Sequence, residues 1–391
     1  MGSQSVTSDC HGQKPHSEES LCYLKIEQIV SKKGGIMQRP RQVLIILFAL
    51  FAMGGRATAQ QSAAPILSTT HLATEEMKAA VASAKVDKDG AIGGLKVKYV
   101  DVNGIRTRYY DEGSGEPMVM IHAEEGFIGH ASANYFVKNI PGLAKHFRVI
   151  ALDRLGSGMT DNPKTDQDYN IHAEMDHIVQ FIRTLKLGKV HLVGHSHGAG
   201  MAMFIAVEHP DVVRTLTILD SVTAAPLGPG VPPSENPVLK CPREEDLVFW
   251  KCRLRALSYN PDKNWDEEFW AASEYMTSLP KSKEAEAKVK AGAGERSGTA
   301  PADSPFNNWK RGILARIQNE PDALRVPVLL IWGHDEHSVP LARGLALYDI
   351  IAAQNPKVRM VVMNKADHFD LRLYPDEYDN YITNFIQFSE H

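Results

Sequence analysis

From Lys96 onward the chain alternates short apolar runs with longer stretches of helical spacing. Lys96–Asn103 and Ile105–Tyr110 flank Asn103-Gly104, a dipeptide that favours a two-residue hairpin turn. Pro117–His122 (PMVMIH), Arg148–Asp153 (RVIALD), Lys189–Val193 (KVHLV), Val213–Asp220 (VRTLTILD), Val326–Trp332 (VPVLLIW) and Val358–Met363 are nearly continuous apolar runs. Such runs predict strands covered on both faces. Tyr169–Leu187 places Ile178, Phe181, Ile182 and Leu185 on one helical face, and Gly200–His209 predicts a helix ended by Pro210. Strands separated by helix-length segments imply a doubly wound, mostly parallel α/β sheet preceded by an antiparallel hairpin.

Between Ser221 and Asn319 that rhythm breaks. A Pro/Gly-rich loop leads into a helical stretch with Phe249, Trp250, Trp265, Phe269, Trp270 and Tyr275, and a polar Ala/Gly-rich linker, about Lys288 to Ser304, leads back. The expected organisation is a core over 96–221 and 313–391, with a helical cap over 222–312 inserted after the sixth strand.

The N-terminal region reads differently. Arg39 and Arg41, the apolar run Val43–Met53 and Ala57-Thr58-Ala59 have the order of a secretory signal peptide over residues 37–59. The run is shorter than the roughly 20 residues a bilayer span requires, so no stable membrane insertion is expected. Residues 1–36 are polar and precede a segment that should open a chain, so they read as a non-native upstream extension before a start at Met37. The expectation is a periplasmic or secreted protein beginning near Gln60, with 60–95 as a linker or helix ahead of the core. Cys241 and Cys252 can then close a disulfide; in a reducing compartment they would remain thiols.

A formal net charge of -4 lacks the basic footprint of a nucleic-acid binder, so no nucleic-acid partner is expected. No metal-ligand cluster, phosphate loop or nucleotide fingerprint is present in the sequence, and neither metal nor cofactor is expected. Monomer and homodimer both stay open.

The strongest chemical signal is Gly194-His195-Ser196-His197-Gly198, between the KVHLV strand and an apolar helix. A serine at a sharp strand-to-helix corner needs small residues two before and two after it, and is lifted to a helix N-terminus. A hydroxyl is a poor nucleophile and needs a base held by a carboxylate, here in the chain order serine, acid, histidine. His368 follows the last strand and Asp335 the one before it, which selects them as base and orienting acid; Asp220 is the rival acid, and Asp367 reads as a surface neighbour. The oxyanion donors are expected from His197 and from the loop at Ala123 and Glu124, where Ala is tolerable unless φ is positive.

From about Val97 to Phe388 the chain resembles the α/β-hydrolase superfamily, with the pattern of the meta-cleavage-product (carbon–carbon) hydrolases. The resemblance is carried by NYFVKN at Asn134–Asn139, FRVIALDRLGSGMTD at Phe147–Asp161, HLVGHSHG, LLIWGHDEHSVPLARGLAL and the final DHF. It implies the α/β-hydrolase fold, a triad of Ser196, Asp335 and His368, and substrate contacts at Asn134. His195 and His197 stand at the family's asparagine and methionine beside the nucleophile, Ser273 at its cap arginine, and Phe369 at its tryptophan. A serine cannot supply a bidentate guanidinium, so the dienoate substrate is not carried over.

His195, Phe369 and Trp270 are expected to line the binding site, for a small hydrophobic or aromatic substrate. Ester, lactone or activated carbon–carbon hydrolysis is the leading expectation. Ser-His-Gly at the elbow also resembles the cofactor-free dioxygenases of the superfamily, and a non-catalytic binding protein is a third reading.

Overall fold

The computed structural model describes residues 86–124, 127–230, 232, 235–243, 246–292 and 300–389. The upstream extension, the signal peptide and most of 60–95 lie outside the described residues, as do 293–299 of the linker.

Eight strands form one sheet: β1 (Val97–Val102), β2 (Ile105–Gly113), β3 (Pro117–Ile121), β4 (Arg148–Leu152), β5 (Val190–His195), β6 (Val213–Leu219), β7 (Val328–Gly333) and β8 (Val358–Met363). Their spatial order is β1-β2-β4-β3-β5-β6-β7-β8, antiparallel at β1/β2 and β2/β4 and parallel from there on. Asn103 and Gly104 have φ of 53° and 80°, the double positive φ a tight hairpin turn demands, and Val102 pairs directly with Ile105.

Alternation along each strand builds two cores. Val119, Ile121, Ile150, Leu152, Leu192, Leu216, Ile218 and Leu330 face one way, under α1 (Ile171–Thr184) and α2 (His197–Glu208). Met118, Met120, Val149, Ala151, Val193, Leu219, Leu329 and Ile331 face the other. Each buried aliphatic side chain contributes about 1.5–3 kcal/mol, so register is strongly fixed. Asn170 starts α1 by accepting the Ala173 amide at 3.0 Å.

After β6 come the cap helices α3 (Asp246–Ala256), α4 (Glu267–Ser278) and α5 (Pro280–Lys290). Cys241 and Cys252 are disulfide-bonded, tying α3 to the turn before it. Trp250, Trp265, Phe269 and Trp270 pack edge-on and tilted with one another at centroid distances of 4.7–6.4 Å. The expected cap–core boundary at 312/313 falls inside α6 (Pro305–Asn319), capped by Ser304. Phe306, Ile313, Leu314 and Ile317 of α6 belong to the sheet's core, so the core resumes near Ser304 because the amphipathic face of α6 is buried there. The chain closes with α7 (Leu341–Ala352) and α8 (Pro375–Ser389).

Candidate active site

β5 ends in a turn that leaves no room for side chains on its glycines. A Cβ on Gly194 would lie 2.4 Å from Ala199 Cα, and one on Gly198 would lie 2.3 Å from Ile121 O. Between them Ser196 has φ 53° and ψ -116°, a strained conformation for a serine held by the strand before it and the helix after it. The Ser196 amide donates to Leu219 O at 2.8 Å, and Ser221 Oγ donates to Ser196 O at 2.5 Å. The neighbouring strand and its loop thus pin the corner.

His368 Nε2 lies 2.9 Å from Ser196 Oγ. Its Nδ1 lies 2.8 Å from a carboxylate, but that carboxylate is Glu336. Asp335 does not supply it: its side chain is 38% exposed and lies 3.5 Å from His334 Nδ1. The loop after β7 turns inward one residue later than expected. There Glu336 Oε1 accepts the Val339 amide at 3.1 Å as well as that of Ser338, while Trp332 Nε1 holds Val339 O at 3.0 Å. Glu336 is fully buried and points at the imidazole.

The rival Asp220 is also buried, but its carboxylate accepts the Gly333 amide at 2.8 Å and shows no bond to His368. Burial pushes both Asp220 and Glu336 well above the usual carboxylate range, and the charge of Asp367 adds to the shift of each. Glu336 keeps the charge better, because two amides and the His368 N–H converge on it and Asp220 has one amide. Asp367, expected at the surface, is buried; its oxygens accept the His337 and His368 amides at 3.0 and 2.7 Å. Burial, reinforced by the charge of Arg253, lowers His368 to about 4, so the imidazole is neutral at pH 7 with its lone pair toward Ser196.

The loop after β3 brings Ala123 and Glu124 beside the elbow. The positive φ falls on Glu124, at 75°, so Ala123 is unstrained. Arg154 holds this turn from below, donating to Glu124 O at 2.6 Å and to Ala123 O at 3.3 Å while paired with Glu174 at 2.5 Å. Arg253 of α3 holds it from the cap, 2.5 Å from the Glu124 carboxylate. The His197 amide begins α2, and its ring lies 3.3 Å from Thr223 Oγ1 and 3.4 Å from Glu174.

Among the expected substrate contacts, Asn134 is engaged elsewhere. Its Oδ1 accepts from Tyr110 at 2.8 Å and from Arg108 at 3.1 Å, and its Nδ2 donates to Gly90 O at 3.0 Å. The buried Arg108–Asp153 pair and the 86–93 segment need that amide, so it is a structural joint. His195 is buried, donates from Nε2 to His368 O at 2.6 Å and therefore presents an unprotonated Nδ1 that has no partner. Burial keeps this ring neutral. Phe369 stacks on Tyr135 and packs edge-on to His195 and His368. Trp270 is half-buried in the cap's aromatic cluster, next to Trp250 and Trp265. Sequence reasoning missed Glu336, Arg253 and Tyr135; the available signal for the first was a second acid beside Asp335, two residues ahead of the Ser-Val-Pro that leads into α7.

A family model described as alpha/beta hydrolase fold matches residues 116–372. The 2-hydroxymuconate semialdehyde hydrolase of Pseudomonas sp. (strain CF600) is 32% identical over 249 residues, 64% of this chain and 80% of that protein. The 2-hydroxy-6-oxo-2,4-heptadienoate hydrolase of Pseudomonas putida is 27% identical over 260 residues, covering 65% and 84%. Among solved structures, the meta-cleavage product hydrolase from Pseudomonas fluorescens IP01 superposes with a TM-score of 0.58 at 22% identity, covering 75% of this chain and 98% of that one.

Proposed function

The chain belongs to the α/β-hydrolase family, and on that premise we propose that it is a serine hydrolase working through Ser196, His368 and Glu336. The observation that carries this reading is the unbroken line from Ser196 Oγ through His368 to Glu336, at 2.9 and 2.8 Å. His368 takes the serine proton as Oγ attacks a carbonyl, and Glu336 accepts the Nδ1–H of the imidazolium that forms. The amides of His197 and Glu124 receive the oxyanion. His368 then protonates the leaving group, and the imidazole so regenerated takes a proton from a water that attacks and cleaves the acyl-enzyme, returning that proton to Ser196.

The bond cleaved is an ester, a lactone or an activated carbon–carbon bond beside a carbonyl. Phe369, Tyr135, Trp250 and Phe269 form an aromatic wall next to the base, which favours a hydrophobic or aromatic acyl group. The relatives named for dienoate hydrolysis support the carbon–carbon option. We further propose export to the periplasm or the medium, the compartment in which the Cys241–Cys252 bridge is stable.

A fluorophosphonate probe tests the reading. It should modify Ser196 on the folded protein and leave Ser196→Ala unmodified. Folded protein that resists the probe while still consuming oxygen with an aromatic substrate would favour a cofactor-free oxygenase instead.

A further inference from the structure

Two neighbouring loops each carry an acid and a histidine side by side: Glu336-His337 after β7 and Asp367-His368 after β8. They pair crosswise. Glu336 serves His368, while Asp367 Oδ2 meets His337 Nδ1 at 2.6 Å. Asp367 Oδ1 accepts the amides of both histidines, so one carboxylate fastens the two loops together. The inner pair is buried against Ser196, whereas the His337 side chain is 36% exposed and takes no part in the proposed reaction.

The crossed arrangement solves an electrostatic problem. Glu336 must carry a charge although Asp220 at the end of β6, and Asp367 and Asp370 after β8, are buried in the same corner. Asp367 is the carboxylate that most disfavours ionised Glu336, and His337 acts in the opposite sense. His337 in turn faces Asp367, Glu336 and Asp335, all of which favour its protonated form. Asp370 accepts the Asp367 amide at 2.8 Å and the Asn264 side chain at 2.7 Å, so the outer pair is also anchored to the cap.

We propose that His337 is a positioning residue: as an imidazolium bound to Asp367 it cancels that carboxylate's charge, leaving Glu336 ionised to hold His368 in its Nδ1–H form. The claim rests on the Ser196–His368–Glu336 reading, yet it can fail separately from it. Loss of the cation leaves Asp367 bare beside Glu336. Protons are then retained to higher pH by Glu336 and His368 alike, and the acid limb of kcat/KM moves upward.

The test compares the parent with His337→Gln, which keeps a hydrogen-bond donor without the charge, and His337→Lys, which restores the charge. The kcat/KM profile against pH is read on a p-nitrophenyl ester, beside ¹⁵N-histidine NMR of the resting protein. His337→Gln should move the acid limb up by about one pH unit, the effect of one partly screened charge a few ångströms away, with the high-pH plateau within about 3-fold of the parent. His337→Lys should move it back. The change of His368 Nε2 from lone pair to N–H, read from its ¹⁵N shift, should occur at correspondingly higher pH in His337→Gln. A parental limb in His337→Gln, or an equal loss at every pH with no shift, overturns the proposal. If no ester is turned over, the hydrolase reading fails by itself; an unchanged Nε2 titration of His368 in His337→Gln then overturns the pairing on its own.

Discussion

The core side and the cap side of this site are built by opposite means. On the core side the backbone does the work: two glycines with no space for a Cβ, a strained Ser196, and buried carboxylates whose oxygens are taken by amides. On the cap side, packing does it. Trp250, Trp265, Phe269 and Trp270 pack on one another, Trp265 and Phe269 also meet Tyr135, and Ser273 Oγ is buried there without a hydrogen-bond partner. Chemistry held by backbone geometry tolerates little change. A wall held by packing can be reshaped, which is where differences in substrate preference within one fold can arise.

If the cap is the softer side, its covalent tie should matter more to stability than to chemistry. Cys241→Ser with Cys252→Ser should lower unfolding free energy by about 3 kcal/mol, the loop-entropy value for a ring of this size, with kcat altered far less; denaturant titration and kinetics check it. Equal loss of kcat would mean the cap helps assemble the triad.

The core carries buried neutral histidines, so acid should strain it. His177, close to Thr107 in the core, is lowered by burial to about 4. An unfolded chain binds that proton below about 6.5 and the folded one only below about 4, so this group's contribution to stability falls as pH drops through that window. His177→Gln should therefore lose about 2 kcal/mol less than the parent between pH 6.5 and 4, measured by urea midpoints. The smallest effect is expected at the seam between the two sides. Arg253→Gln frees the Glu124 turn from α3 and should lower kcat/KM about 10-fold, mainly through loss of order in the oxyanion loop.

The same contrast explains what could be read in the sequence. Strands, hairpin, elbow and the position of His368 beside Ser196 were legible because period-two burial, the Asn103-Gly104 turn, the two elbow glycines and the end of the last strand leave one solution each. The acid was not: Asp335 and Glu336 are adjacent, and only the turn that presents two amides to Glu336 decides which side chain points inward. Asn134 was drawn to the substrate by family resemblance, but the buried Arg108 and Tyr110 claim it, a demand invisible until distant strands meet. The cap boundary was missed because α6 is a linker-proximal helix whose apolar face becomes recognisable only against the sheet.

The choice between the two adjacent acids tests the account most directly. Kinetics of Glu336→Gln and Asp335→Asn on one ester substrate should separate them: Glu336→Gln should lose roughly 10³–10⁴-fold in kcat, and Asp335→Asn should stay within about 3-fold of the parent. The opposite ranking would contradict the triad proposed from this structure.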